Sequence, residues 1–150
     1  MSLKLLIADD EYFIRQRIKK IIPWEKLNLT FAGEAENGQQ VIDHLEKEPV
    51  DLLLLDIKMP QMNGIETARY IKEHFPSVHM LILSGYNDFE YARTVIRYGV
   101  KEYLLKPVAA EELERALSEC IQAIHFEEQT RHTLKHYEHF HLCSMLANIR

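Results

Sequence analysis

The chain has 150 residues, of which 47% are hydrophobic and 27% are charged, and its formal net charge is −5. A single domain of this length buries roughly two-thirds of the surface of its unfolded chain, so it needs no disulfide or structural metal to fold. The negative charge argues against non-specific nucleic-acid binding by these residues, because phosphate contacts require a surplus of Lys and Arg.

Cysteine usage and the lengths of the apolar runs bear on the cellular compartment. Cys120 and Cys143 are the two cysteines, and their spacing is not that of a metal site. Such sparse usage is typical of a reducing compartment. The longest apolar runs, such as 52–55 and 80–83, are too short to cross a bilayer, and the N-terminus lacks the apolar core of a signal peptide. We therefore expect a cytoplasmic protein.

Short apolar runs alternate with segments of helical spacing along most of the chain. The runs predict five strands, at residues 3–8, 29–34, 51–55, 79–83 and 102–105. The intervening segments predict five helices, whose apolar positions are Ile14, Ile18, Ile21 and Ile22; Val41, Ile42 and Leu45; Ile65, Ala68, Ile71 and Phe75; Phe89, Ala92, Val95 and Ile96; and Leu113, Leu117, Cys120 and Ile124. Pro23 and Pro76 are expected to end the first and third helices, and Gly99 follows the fourth.

The composition of the strands predicts their order in the sheet. Strand–helix alternation is typical of an α/β fold in which helices cover both faces of a parallel sheet. The first, third and fourth strands are nearly unbroken apolar runs, as buried central strands are, whereas the second and fifth contain Thr30, Gly33 and Glu102. We therefore predict a flavodoxin-like, doubly wound (βα)5 sheet of order 2-1-3-4-5 with an extended C-terminal helix.

The last segment of the chain has a different character. Residues from about 125 onward contain no Gly or Pro and only sparse apolar positions. We expect residues 1–123 to form the folded domain and residues 124–150 to form a helical linker. Four of its histidines suggest a metal site, but neither a cysteine pair nor a carboxylate motif completes one, so a solvated helix face is favoured (His132, His136, His139 and His141).

Polar residues follow the central strands at the points where those strands end. Asp9 and Asp10 follow the first strand, Asp56 follows the leucine run of the third, Ser84 follows the fourth and Lys106 follows the fifth. The carboxyl ends of parallel strands meet at one rim of the sheet, where ligands bind at the switch in strand order. Three carboxylates gathered there repel one another, which a hard cation such as Mg²⁺ would relieve.

This combination of groups suits a phosphoryl group. Asp56 could act as a nucleophile and become an aspartyl phosphate, with Lys106 as a counter-charge and Ser84 as a hydroxyl donor. Each residue taken singly has a plainer interpretation: Asp56 and Ser84 as turn residues, Asp9 and Asp10 as acids at a helix N-terminus, Lys106 as part of a loop.

Four strings in order make the sequence similar to a known family. IADDE at 7–11, LLLLDIKMPQMNG at 52–64, LSGYNDFEYA at 83–92 and YLLKPV at 103–108 resemble the receiver domain of two-component response regulators. The resemblance spans residues 3 to about 123. The last two strings resemble the YesN/AraC subgroup, whose members have a DNA-binding helix-turn-helix domain downstream.

The resemblance implies a role for each matching residue. Asp56 would be phosphorylated by a sensor histidine kinase. Asp9 and Asp10 would hold Mg²⁺, with Asp10, Asp56 and the backbone carbonyl of Lys58 as its direct ligands. Lys106 would pair with the phosphoryl group and Ser84 would move to bond it. The remaining implied features are an inward swing of Tyr103 when Ser84 moves and a cis bond between Lys106 and Pro107.

The resemblance also implies partners and tuning positions. Lys58 and Tyr86 occupy the positions on which receiver lifetimes depend, and the ring of Tyr86 is expected to obstruct the hydrolytic water and slow self-dephosphorylation. A homodimer through the face built from parts of 88–99 and 101–120 is implied. So is a DNA-regulating output domain that is absent from these residues. The chain would catalyse only its own phosphorylation and dephosphorylation, and would not be an enzyme with turnover.

Two other classes of function stay open at this point. Aspartate-nucleophile phosphatases also place an Asp after an apolar strand, but they need an acid two positions later, where this chain has Lys58. A flavodoxin-like binding module without phosphorylation would need a cofactor-shaped loop after the first strand rather than an acidic pair. Incubation with a small phosphodonor and Mg²⁺ distinguishes the three: one stable phosphate, turnover or no reaction.

Overall fold

A computed structural model describes residues 2–85 and 89–147 of the chain. The strands in these ranges are β1 (Leu3–Ala8), β2 (Leu29–Ala35), β3 (Leu52–Asp56), β4 (His79–Ser84) and β5 (Glu102–Leu105). The helices in the same ranges are α1 (Tyr12–Ile21), α2 (Trp24–Leu27), α3 (Gly38–Lys47), α4 (Gly64–His74), α5 (Phe89–Ile96) and α6 (Ala110–Ala147).

The strands form one parallel sheet in the order β2-β1-β3-β4-β5, which confirms the predicted fold class and order. All five residues of β3 are buried, whereas most residues of the edge strands β2 and β5 are partly or fully exposed. The register pairs Ala8 with Leu55, Asp56 with Leu83 and Ser84 with Leu105. The carboxyl ends of the strands therefore lie at one rim, as the sequence predicts.

The N-terminus of α4 lies close behind this rim. At α4, the Asn63 side chain accepts from the Glu66 amide and the Glu66 side chain accepts from the Asn63 amide, a reciprocal cap that defines where the helix begins. Gly64 is the first residue of this helix, and a Cβ there would lie 2.3 Å from the carbonyl oxygen of Asp56. A glycine is therefore required where α4 returns against the end of β3.

The structure differs from the predicted helices in two places. The first helix ends at Ile21, and a short helix that the periodicity did not predict, α2, follows Pro23. Trp24 opens α2, and its indole nitrogen donates to the Lys19 carbonyl at 2.8 Å, which holds the short helix against the end of α1. The apolar spacing predicts that Ile96 lies on the buried face of its helix, but this residue is 64% exposed, whereas Val95 beside it is buried.

The chain divides into two compact units after Leu117. The first unit contains the sheet, and the second consists of the continuation of α6 from Ser118. The predicted linker at 124–150 stays a prediction, and the side chains of His132, His136, His139 and His141 lie outside the described part. Among the described helices, none is both long and apolar enough to span a membrane.

Candidate functional site

Three carboxylates converge at the carboxyl rim of the sheet. One oxygen each of Asp9, Asp10 and Asp56 lies within 4.8 Å of the others. Asp9 and Asp56 are buried and Asp10 is exposed. In the part of the chain that the structure describes, this is the one group of acids, histidines and cysteines close enough to hold a metal ion. The structure therefore brings together the three acids that the sequence predicts at this rim.

Backbone contacts fix the turn that contains Asp9. Its amide donates to the carbonyl of Ala35 at 3.0 Å, which extends the pairing of β1 with β2 by one residue. Its Oδ1 accepts from the amide of Glu11 at 2.8 Å, so the carboxylate caps the turn that leads into α1. Asp9 therefore serves both as a turn residue and as an acid of the cluster, as the sequence allowed.

Lys106 lies between two of the acids. Its Nζ is 2.7 Å from Oδ2 of Asp9 and 3.1 Å from Oδ1 of Asp56. Burial alone would lower the pKa of Lys106, but the pairing with Asp9 and Asp56 outweighs burial and leaves its pKa above the usual value. The lysine is therefore a fixed positive charge at neutral pH.

The charge of Asp56 is only partly compensated. Burial is the main reason that its pKa rises from 3.8 to about 7, and the nearby charge of Asp9 adds to the rise, whereas Lys106 opposes it. A carboxylate so placed gains from any further cation that approaches it. A raised pKa of this kind is typical of a carboxylate in a binding site, and not of one whose charge is fully neutralised by an ion pair.

The donor set fits a magnesium ion. Oδ2 of Asp9 is buried and lies 2.7 Å from Nζ of Lys106, and a carboxylate oxygen has two lone pairs, so the ammonium group leaves one of them for a second cation. Carboxylate oxygens are the ligands that Mg²⁺ prefers, and the exposed side of the cluster at Asp10 leaves room for the waters that this ion retains.

Ser84 and Tyr103 contact each other at the end of β4. The Ser84 side chain is fully buried, and its hydroxyl makes a hydrogen bond with the Tyr103 hydroxyl and a longer one, of 3.4 Å, with the carbonyl of Gly85. The Tyr103 ring packs against the apolar core. The two residues to which the resemblance assigns a switch are therefore adjacent, with the tyrosine directed inward.

The resemblance also assigns features to the Lys106–Pro107 bond, Lys58 and Tyr86. The bond between Lys106 and Pro107 is cis, as the resemblance implies. Lys58 follows the strand by two residues with an exposed side chain, and the role of its carbonyl stays a prediction. Tyr86 lies outside the described residues, so its effect on lifetime also stays a prediction.

Sequence reasoning missed one buried charged residue beside the site. Arg15 on α1 is only 5% exposed, and its Nη1 donates to the backbone carbonyl of Asp9 at 2.6 Å. The apolar spacing of α1 directs attention to Ile14 and Ile18 and treats the arginine between them as solvated. The acids of the GEAE string at 33–36 were the available signal, because a buried arginine needs such a partner.

Comparisons with known proteins agree with this geometry. The family model described as the response regulator receiver domain matches residues 5–118. The uncharacterized transcriptional regulatory protein YesN of Bacillus subtilis (strain 168) is 35% identical over 136 residues, which are 91% of this chain and 37% of that protein. The chain thus spans little more than a third of the length of this curated relative.

Solved structures give the same result. The REC domain of AraT, a response regulator from Geobacillus stearothermophilus, is 36% identical with a TM-score of 0.81 over 85% of this chain and 99% of that one. A two-component transcriptional regulator AraC from Clostridium phytofermentans ISDg is 33% identical with a TM-score of 0.78 over 85% of this chain and 98% of that one. With its sheet order and its acidic rim, the chain belongs to the receiver domain family of two-component response regulators.

Proposed function

We propose that this receiver domain accepts a phosphoryl group on Asp56 from a sensor histidine kinase, with Mg²⁺, and thereby switches a transcription-regulating output. The observation that supports the proposal best is the arrangement of Lys106, whose Nζ lies 2.7 Å from Asp9 and 3.1 Å from Asp56 within the acidic cluster. A nucleophile, a cation-binding set of acids and a fixed ammonium group are the parts that phosphoryl transfer requires.

Asp56 is the nucleophile in this proposal. One of its oxygens attacks the phosphorus of the donor phosphohistidine, and the new O–P bond forms as the P–N bond breaks, with the electron pair returning to the imidazole nitrogen. Its position at the end of the fully buried strand β3 fixes the direction of attack. Lys106 contributes a positive charge beside the transferred group and so stabilises its oxygens.

Asp9, Asp10, Asp56 and the backbone carbonyl of Lys58 would hold the metal ion. When bound, Mg²⁺ would neutralise charge on the phosphoryl oxygens and on the clustered carboxylates. The clustering of the three acids within 4.8 Å and the raised pKa of Asp56, to about 7, support this assignment, because they indicate negative charge that Lys106 does not fully offset.

Ser84 and Tyr103 form the proposed switch. A phosphoryl group on Asp56 would offer new acceptor oxygens to the Ser84 hydroxyl, which in the present structure bonds Tyr103. The acyl phosphate must bind one arrangement of these residues better than the other for the population to shift. Lys58 and Tyr86 would set how long the phosphoryl group lasts.

The output is proposed from the relatives. YesN, of which this chain spans 37%, is described as a transcriptional regulatory protein, and the AraC structure as a two-component transcriptional regulator. We infer that this chain regulates a DNA-binding domain by phosphorylation. A homodimer through the face formed by parts of 88–99 and 101–120 would be one means, and the exposed side chains of Ile96 and Leu105 on these segments are compatible with it.

The test is incubation of the chain with acetyl phosphate and MgCl₂, followed by intact-mass measurement and location of the phosphate on Asp56. We expect one phosphoryl group per chain, none in Asp56→Asn and none in EDTA. Continuous release of inorganic phosphate at a rate typical of an enzyme would indicate a hydrolase instead. An unmodified wild-type chain would contradict the proposal.

A further inference from the structure

Arg15 connects the acidic turn to the neighbouring edge strand. Its Nη1 donates to the carbonyl of Asp9 at 2.6 Å, its Nε donates to Oε1 of Glu34 at 2.9 Å, and its Nη2 lies 3.7 Å from Oε1 of Glu36. Its guanidinium carbon also lies 5.7 Å from the centre of the Tyr12 ring. One planar group therefore joins the end of β1 to the end of β2.

The contact with Asp9 fixes the direction of the turn. The carbonyl of Asp9 belongs to the peptide that leads into Asp10, so a donor on this oxygen restrains the orientation of both carboxylates. A charge-assisted bond of this length in a buried place is among the stronger hydrogen bonds in proteins. Glu34 in turn holds the guanidinium, and it also accepts from Gln16 at 2.9 Å and lies 3.5 Å from Lys19.

We propose that Arg15 is a positioning residue for the magnesium site. It holds the Asp9–Asp10 turn in the geometry that binds the ion. The inference rests on the proposed function, because it assumes that these acids bind Mg²⁺. Arg15 acts through the carbonyl of Asp9 and does not touch the ion. Groups that orient metal ligands in this way change metal affinity by roughly 10–100-fold when they are removed.

The charge of Arg15 and its hydrogen bonds should change the affinity for Mg²⁺ in opposite directions, so an experiment can separate them. Arg15 is a cation near three carboxylates, so the loss of its charge alone would strengthen Mg²⁺ binding. The loss of its hydrogen bonds to Asp9 and Glu34 would weaken it. Lysine keeps the charge but cannot reproduce the planar fork that reaches both partners, so Arg15→Lys separates the two effects.

The experiment is a titration of the chain with MgCl₂, followed by the backbone amide NMR shifts, at a temperature well below the melting temperature of every variant. We expect Arg15→Gln to raise the Kd for Mg²⁺ about tenfold and Arg15→Lys to raise it by about fivefold. Lys20→Gln, at an exposed position on the same helix, is the matched control and should change the Kd by less than about twofold. Glu34→Gln weakens the hold on Arg15 and also removes a negative charge near the site, and both changes should raise the Kd, by a smaller factor than Arg15→Gln.

The outcomes separate the two proposals. A Kd for Arg15→Lys equal to or lower than the wild-type value would overturn the positioning role, because this variant keeps the charge, and the same result in Arg15→Gln would overturn it if Arg15→Lys does not fold. A purely structural role would lower the melting temperature in EDTA without a change in the Kd, and this result would also overturn the inference. Absence of Mg²⁺-dependent shifts in the wild type would instead overturn the proposed function, and this inference with it.

Discussion

Two groups of charged side chains lie on either side of the carboxyl end of β1, and they differ in which sign of charge is buried. Toward β2, Arg15 is buried, whereas the acids that it contacts, Glu34 and Glu36, have side chains 26% and 62% exposed. Toward β3, the side chains of Asp9 and Asp56 are 0% and 5% exposed, and Lys106 is 19% exposed.

The group around Arg15 is an ion-pair network that stabilises the fold, whereas the group around Lys106 is a site with excess negative charge. Around Arg15 one buried cation meets acids that water also solvates, so its charge is satisfied locally. Around Lys106 one cation meets two buried acids and a third nearby, and the pKa of Asp56 rises to about 7 because burial and Asp9 outweigh the lysine. The second group is therefore the one expected to respond to a metal ion.

The largest expected effect is on phosphoryl transfer. Lys106→Met removes the only cation placed between Asp9 and Asp56 in the described part of the chain, and we expect the rate of phosphorylation by acetyl phosphate at saturating Mg²⁺ to fall roughly 100-fold. Lys101→Met, an exposed lysine before β5, is the control. Equal rates for Lys106→Met and the wild type would remove the lysine from the proposed chemistry.

Of the two groups, the one around Arg15 should contribute more to the free energy of unfolding. Arg15→Met leaves the carbonyl of Asp9 without its donor and Glu34 without its closest cation, and we expect the free energy of unfolding to fall by about 3 kcal/mol. Urea denaturation in EDTA measures it, with Lys20→Met as the matched control. A loss below about 0.5 kcal/mol, as for an ordinary surface substitution, would show that the buried guanidinium contributes little.

In the group around Lys106, the expected change in the free energy of unfolding has the opposite sign. An acid whose pKa is 3.8 unfolded and about 7 folded costs stability as pH rises through 3.8, and the full cost is present above about 7. We therefore expect Asp56→Asn to be more stable than the wild type by roughly 2 kcal/mol at pH 8 in EDTA, with the advantage shrinking as pH falls toward 4. Denaturation at both pH values measures it, and a less stable variant at pH 8 would contradict the electrostatic account.

The smallest expected effect concerns the hydroxyl pair beside the site. Tyr103→Phe keeps the ring that packs on the core but removes the bond to Ser84, so we expect a stability loss of about 1 kcal/mol or less. Acceptance of the phosphoryl group should change by less than about twofold. Tyr98→Phe, another ring against the core, is the control. A large loss of phosphorylation in Tyr103→Phe would place the hydroxyl in the transfer itself.

Strand geometry makes the acidic rim of the sheet predictable from the sequence. The leucine run at 52–55 identifies a buried strand, and parallel strands must end at one rim, so the meeting of Asp9, Asp56 and Lys106 follows from their positions in the chain. Arg15 could not be placed in the same way. Its burial depends on the lateral approach of α1 to β2, which helical periodicity does not specify, and a charged residue is assumed exposed unless its partner is known. The exposure of Ile96 could not be predicted for the same reason. Apolar spacing indicates which residues share a helix face, but it does not indicate which element packs on that face.

The most direct test of the central claim, that the acids at the rim hold uncompensated negative charge for a metal ion, is the melting temperature of the wild type and of Asp56→Asn during titration with MgCl₂ against NaCl of matched ionic strength. At a Mg²⁺ concentration ten times the Kd, binding to the folded state adds about 1.4 kcal/mol, so the wild type should gain a few degrees. Asp56→Asn should start higher in EDTA and gain much less. Equal gains in the two proteins, or no gain in the wild type, would contradict the claim.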